Sequence, residues 1–255
     1  MIACFCCHLG WTDIINSLAL IHYYKDQYDL IYVLMREDAG EMLQYFIKDV
    51  PNIVPLYFPI DVLSVSVYGI YQHLTQRINE NSPSPIPVYP LLIGLHDKDR
   101  NDQYQGAFLK SSDHFCDRFY TCYDLSPNTR YEHFVFSRNK EIEMIKYQQI
   151  VQNKPYKEGY ILINDTPENP IDTLIRGEDC ISLTNVSNCF FDCIMLLENA
   201  KEIHAIDTIW ACFCFLIDMK YQILKNKGVK VIVYCKRGYR EFFKGYETLE
   251  NWTLV

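Results

Sequence analysis

Apolar and polar positions fall into alternating blocks along the first 60 residues. Residues 2–7 are an unbroken apolar run, which predicts a strand buried on both faces. A turn at His8, Leu9, Gly10 and Trp11 follows. Thr12 or Asp13 is then placed to cap a helix running to about Tyr24, with Ile14, Ile15, Leu18 and Ile21 at helical spacing. Residues 30–34 read as a second strand, 38–48 as a helix capped by Asp38, and 53–57 as a third strand. Strand and helix alternating through short connections predicts an α/β fold with a parallel sheet covered on both faces.

The pattern continues with a helix over 61–80, a proline-rich loop over 82–87, a strand over 88–95 and a polar loop over 96–106. An aromatic helix over 112–125 ends at the turn Ser126, Pro127, Asn128, the candidate domain boundary. The alternation then restarts. An amphipathic helix is predicted over 139–153, strands over 160–164, 181–184, 202–206 and 229–234, and helices over 189–199 and 208–225.

Size and charge narrow the reading. A chain of 255 residues is about 1.7 times a domain of ~150 residues, which suits one large domain or two small ones. Lys and Arg number 24 against 32 Asp and Glu, a net charge of −8, which disfavours a general nucleic-acid binder. The 11 Cys lie mostly in apolar runs without a paired C-x-x-C spacing, so a reduced, metal-free, cytoplasmic protein is expected. No signal peptide is read at the N-terminus, and the apolar run 209–217 is far short of the ~20 residues of a transmembrane helix, so no transmembrane segment is expected.

Three loops follow buried strands at their carboxyl ends, where open α/β sheets bind ligands. The first holds His8, Gly10, Trp11 and Asp13. Gly10 admits a ligand close to the backbone, and Asp13 and His8 are its candidate catalytic residues, Asp13 as a general base; alternatively, Asp13 is only a helix cap. The second is Asp207, Thr208 and Ile209, at a helix start suited to a diphosphate or serving merely as a cap. The third is the loop from Asn164 and Asp165 to Asn169, which reads equally as polar surface. Arg138 and Lys140, with Arg130 nearby, are candidate phosphate cations or a solvated helix start. The G-x-G-x-x-G, G-x-S-x-G and Walker sequences are absent, which removes the usual dinucleotide, serine-hydrolase and P-loop readings.

These residues resemble a known family. The loop His8-Leu9-Gly10-Trp11-Thr12-Asp13 and its apolar helix look like the first loop of GT-B-fold glycosyltransferases, whose heptosyltransferase-like members carry Gly-x-x-Asp or Leu-Gly-Asp there. Sugar transferases of large DNA viruses and of bacterial surface-polysaccharide clusters are similar. The stretch from Phe119-Tyr120 through Arg130 and Phe134 to Arg138-Asn139 resembles the family's inter-domain segment. Tyr160 to Asp165, and Leu197-Glu198-Asn199-Ala200 through Asp207-Thr208, resemble its donor-site blocks. Two departures stand out: Trp11-Thr12 between Gly10 and Asp13, and the bulky Ile209-Trp210 after Thr208.

The resemblance implies two Rossmann-like domains facing a cleft, an acceptor-binding one over 1–130 and a nucleotide-sugar-binding one over 131–255. It implies transfer of a hexose or deoxyhexose from a nucleotide-sugar donor to a glycan acceptor, inverting and without metal or other cofactor. Asp13 becomes the base. Thr208 and Ile209 cradle the diphosphate with help from Arg138 or Lys140, Asn164 and Asp165 line the cleft, and Glu198 lies near the ribose. Gly10 and Trp11 form the acceptor-side loop. Residues 236–255 are expected to pack back across the domains. If the protein is viral, it works in the host-cell cytoplasm. The alternatives are a nucleotide-sugar epimerase on the same fold and a catalytically degenerate sugar- or nucleotide-binding protein.

Overall fold

The computed structural model describes residues 1–6, 10–92, 103–111, 113–151, 159–171, 177, 179–184, 186–187, 189–238 and 240–255. It divides into two compact units, Met1–Ser137 and Arg138–Val255.

The first unit follows the predicted alternation. Strand β1 (Ile2–Cys6) leads to helices α1 (Trp11–Ser17) and α2 (Ala19–Tyr24), then to β2 (Leu30–Arg36), α3 (Gly40–Ile47), β3 (Ile53–Phe58), α4 (Ile60–Asn79) and β4 (Val88–Leu91). The four strands pair in parallel in the order β3-β2-β1-β4, with Ile2 opposite both Leu30 and Val88. Central β1 buries Ala3, Cys4, Phe5 and Cys6 completely, as its unbroken apolar run requires. Helices α5 (Gln103–Lys110), α6 (Phe115–Thr121) and α7 (Thr129–Glu132) complete the unit. Helix α5 begins where a polar loop was predicted, and buried Phe108 packs there against Phe119, with ring centroids 5.4 Å apart.

The expected boundary at 130/131 lies inside this unit. Buried Phe134 meets Phe46 edge-on at 5.1 Å, and His133 meets Tyr23 at 5.2 Å. Ser137 donates its N–H to the Tyr45 carbonyl at 2.8 Å and its hydroxyl to Asp49 at 2.7 Å. The segment after Arg130 is therefore core and edge of the first unit rather than a linker.

The second unit contains α8 (Lys140–Val151), β5 (Ile161–Asn164), β6 (Cys180–Ser182), α9 (Ile194–Glu198), β7 (Glu202–Ile206), α10 (Ile209–Tyr221), α11 (Ile223–Asn226), β8 (Lys230–Tyr234) and β9 (Trp252–Leu254). Its parallel sheet runs β6-β5-β7-β8-β9. Helix α10 is buried from Trp210 to Asp218, because its apolar residues surround the whole helix.

Two expectations are corrected here, and residues 236–255 supply an element that was not predicted: Trp252–Leu254 adds an edge strand beside β8, with Val231 opposite Trp252. The single helix over 208–225 is broken at Gln222, which adopts a left-handed conformation with φ 53°. Helix α8 is not amphipathic as predicted. It exposes Ile142, Met144 and Ile145 and buries Glu143, whose carboxylate is taken by Arg138.

Candidate functional site

The strand orders locate two crevices. In the first sheet the chain moves from β1 to β2 and β3 on one side, and β4 then joins β1 on the other. In the second it moves from β5 to β6, and β7 then joins β5 on its opposite side. Loops leaving β1 and β5 thus separate at topological switch points, where the carboxyl ends of the strands leave room for a ligand.

In the first unit Gly10, not Thr12 or Asp13, is the N-cap of α1, with φ −65° and ψ 167°. Asp13 is the third helical residue. Its Oδ2 accepts the Gly10 N–H at 3.1 Å, and its own N–H donates to the Gly10 carbonyl at 3.0 Å. Among the described residues, Oδ1 accepts no hydrogen bond. Burial pushes the carboxyl up to about 6, with the Gly10 N–H pulling the other way. A carboxylate near 6 ionises at neutral pH yet stays basic enough to take a hydroxyl proton in a transition state.

Trp11 opens the same helix, and the Arg36 guanidinium lies over its ring at 5.1 Å from the centroid. Arg36 ends β2 and is held by Asp38, with Nε 2.9 Å from Oδ1. The acceptor-side loop expected from Gly10 and Trp11 is therefore braced by an arginine that was not singled out in the sequence. Its position at a strand's carboxyl end was the available signal. His8 lies outside the described residues.

In the second unit Asn164 ends β5 and Thr208 stands at the N-cap position of α10, one strand over. The Thr208 hydroxyl donates to Asn164 Oδ1 at 2.5 Å and does not cap its own helix. The first-turn N–H groups of α10 are consequently left without a side-chain cap, at the positive end of its dipole. Asp165 accepts the Ile171 N–H at 3.0 Å and so folds its loop back on itself. The bulky pair after Thr208 does not fill this edge entirely. Trp210 is buried and packs edge-on against Phe190 at 4.7 Å, leaving partly exposed Ile209 at the helix start.

Arg138 and Glu198 meet each other instead. The Arg138 guanidinium bonds Glu198 at 2.9 Å through Nη1 and Glu143 at 2.9 Å through Nε. These carboxylates, Glu143 foremost, hold it firmly protonated, and Glu143 has no exposed surface. This cluster pairs the cation expected for a phosphate with the carboxylate expected for a ribose. Lys140 is exposed as the first residue of α8.

Residues missed in the sequence lie after β8. The buried Asp207 carboxylate accepts the Arg237 N–H at 2.7 Å, and Lys236 donates to the Pro170 carbonyl at 2.6 Å. Among the described residues no three His, Cys, Asp or Glu side chains form a metal-binding group, and no helix is long and apolar enough to cross a membrane.

No protein-family model matches the chain. No curated protein matches it in sequence. Solved structures do match in fold. One is the ADP-heptose lipopolysaccharide heptosyltransferase II of E. coli, 8% identical with a TM-score of 0.52, the alignment covering 100% of this chain and 90% of that one. Another is a glycosyl transferase family 9 protein of Veillonella parvula DSM 2008, 10% identical with a TM-score of 0.56, covering 99% and 86%. The α/β architecture with two parallel sheets is thus that of GT-B-like proteins.

Proposed function

We propose that the chain is a glycosyltransferase that moves a hexose or deoxyhexose from a nucleotide-sugar donor to a glycan hydroxyl, with inversion and without a metal. The observation that carries this reading is the start of α10. Thr208 turns its hydroxyl to Asn164, and a long buried helix is left uncapped at a switch-point crevice of a fold shared with sugar transferases. Such an end suits a diphosphate, because open N–H groups and the helix dipole both favour negative charge. The E. coli neighbour is an ADP-heptose heptosyltransferase, and ADP-heptose is a nucleotide sugar, which supports the donor class.

On this reading Asp13 takes the proton from the acceptor hydroxyl. The hydroxyl oxygen then bonds to the anomeric carbon of the donor as the bond from that carbon to the phosphate oxygen breaks. The electron pair leaves with the nucleoside diphosphate, whose charge is met by fixed donors and cations. One displacement inverts the anomeric centre. Trp11, steadied by Arg36, offers a ring against which an acceptor sugar can lie.

The test is calorimetry and turnover. UDP, GDP and TDP sugars are titrated into the protein, and Asp13→Asn is assayed with the donor that binds. Asp13→Asn is expected to lower transfer by about 10²–10⁴-fold, with donor affinity changed by only a few fold. Undetectable binding of every donor at millimolar concentration overturns the transferase reading. Retained turnover in Asp13→Asn removes Asp13 as the base.

A further inference from the structure

A nucleoside diphosphate leaving group needs positive charge, and the expected source, Arg138, is neutralised by Glu143 and Glu198. The segment after β8 offers another. Residues 236–240 hold three cations, Lys236, Arg237 and Arg240, in a chain of net charge −8, and all three are exposed. Among the described residues, the Arg237 guanidinium makes no hydrogen bond and no ion pair within salt-bridge distance.

The loop is anchored at its backbone, not at its charged tips. Asp207, the residue before Thr208, accepts the Arg237 N–H at 2.7 Å and donates its own N–H to the Tyr234 carbonyl at 3.2 Å. Arg237 is therefore fixed beside the residue that starts α10 while its side chain stays available. Lys236 reaches the Pro170 carbonyl at 2.6 Å and ties the same loop to the one leaving β5. Arg237 also adds an attraction at Glu168 in that β5 loop, whose carboxyl is lowered mainly by its own backbone N–H and the Thr166 hydroxyl. The loops after β5, β7 and β8, on adjacent strands, thus meet at one sheet edge.

We infer that Arg237, on the loop braced by Lys236, is the cation that binds the donor's diphosphate, in place of Arg138 and Lys140. This rests on the transferase reading above. A guanidinium presents a planar fork of donors to phosphate oxygens, and an exposed arginine that is in no close ion pair among the described residues need not first break one. Glu168 is the acidic neighbour that competes with the ligand for it.

The experiment is calorimetric titration of the full chain with UDP, GDP and ADP, and with the monophosphate matching whichever diphosphate binds tightest. Arg237→Gln is expected to weaken the diphosphate at least tenfold and the monophosphate less. Arg237→Lys recovers part of the loss, and Glu168→Gln tightens the diphosphate. Lys227→Gln, before β8 at the opposite end of the strand, stays within twofold. Far-UV circular dichroism checks that Arg237→Gln remains folded, as expected for an exposed side chain. If the wild-type chain binds a diphosphate and Arg237→Gln binds it within twofold, this inference is overturned while the transferase reading stands. An equal loss for monophosphate and diphosphate also overturns it. If the wild type binds none of the three, the transferase reading fails and takes the inference with it.

Discussion

Burial lifts the Asp13 carboxyl from 3.8 to about 6, and one N–H from Gly10 opposes the shift only in part. The folded state therefore keeps a proton that the unfolded chain releases between those values. Stability from this group is fully present below about pH 4 and is lost as pH rises through 6. Two outcomes follow. The acid limb of kcat/KM should fall with an apparent pKa near 6, because transfer needs the ionised base. Asp13→Asn should make the protein more stable at about pH 8, by up to roughly 3 kcal/mol, and no more stable at about pH 4. Thermal melts at the two pH values check this. A variant destabilised at both would mean that the carboxylate is structural. Asp13 was legible as a candidate because a lone acidic residue followed a buried strand and a glycine. Its position as third helical residue was not, since Thr12 and Asp13 are themselves good caps and only the backbone shows that Gly10 takes that place.

At the scale of elements, Asp218 shows what periodicity misses. It lies in the interior of α10 with no exposed surface, although an aspartate in a helix ordinarily reads as solvent-facing. Its Oδ1 accepts the N–H groups of Leu224 at 2.8 Å and Lys225 at 3.0 Å, capping α11 from the preceding helix. Its Oδ2 accepts Asn251 at 3.1 Å and the Trp252 indole at 2.8 Å, pinning β9. One carboxylate thus holds the helix break at Gln222 and the edge strand together, and both features went unpredicted because neither is local. The regular elements were legible because burial imposes a period on them. Asp218→Ala orphans four donors, so urea unfolding should show a loss of about 4 kcal/mol. Amide exchange at Leu224 and Lys225 should quicken more than at Leu216 in the buried middle of α10. A loss under 1 kcal/mol would show that water replaces the carboxylate at little cost.

Among the described residues the chain carries two parallel sheets that share no strand. That much was legible, since each half opens with a buried strand and repeats the alternation. The partition of the polar residues was not. Arg138 lies 60 residues from Glu198 and reads as a cation for ligands until the fold brings the two together. The exact position of the boundary was hard to read for a related reason. The turn at Ser126 to Asn128 looks like a linker, but the seven residues after Arg130 supply buried Phe134 to the first core. Fragments distinguish the two boundaries. Residues 1–130 leave the Phe46 side of the core without Phe134, a loss of about 3–5 kcal/mol by analogy with Phe→Ala in a core. Met1–Ser137 restores that contact and both Ser137 hydrogen bonds. The shorter fragment should therefore unfold at lower urea with a broader transition, and expose surface that binds a hydrophobic dye. The complementary fragments follow the same logic in reverse. Arg138–Val255 keeps Arg138 for its two glutamates, whereas a fragment starting at 131 carries Phe134 and Phe136 without their ring partner Phe46 and should self-associate. Sedimentation that finds the 131 fragment as monomeric as the 138 fragment would place those phenylalanines with the second unit after all.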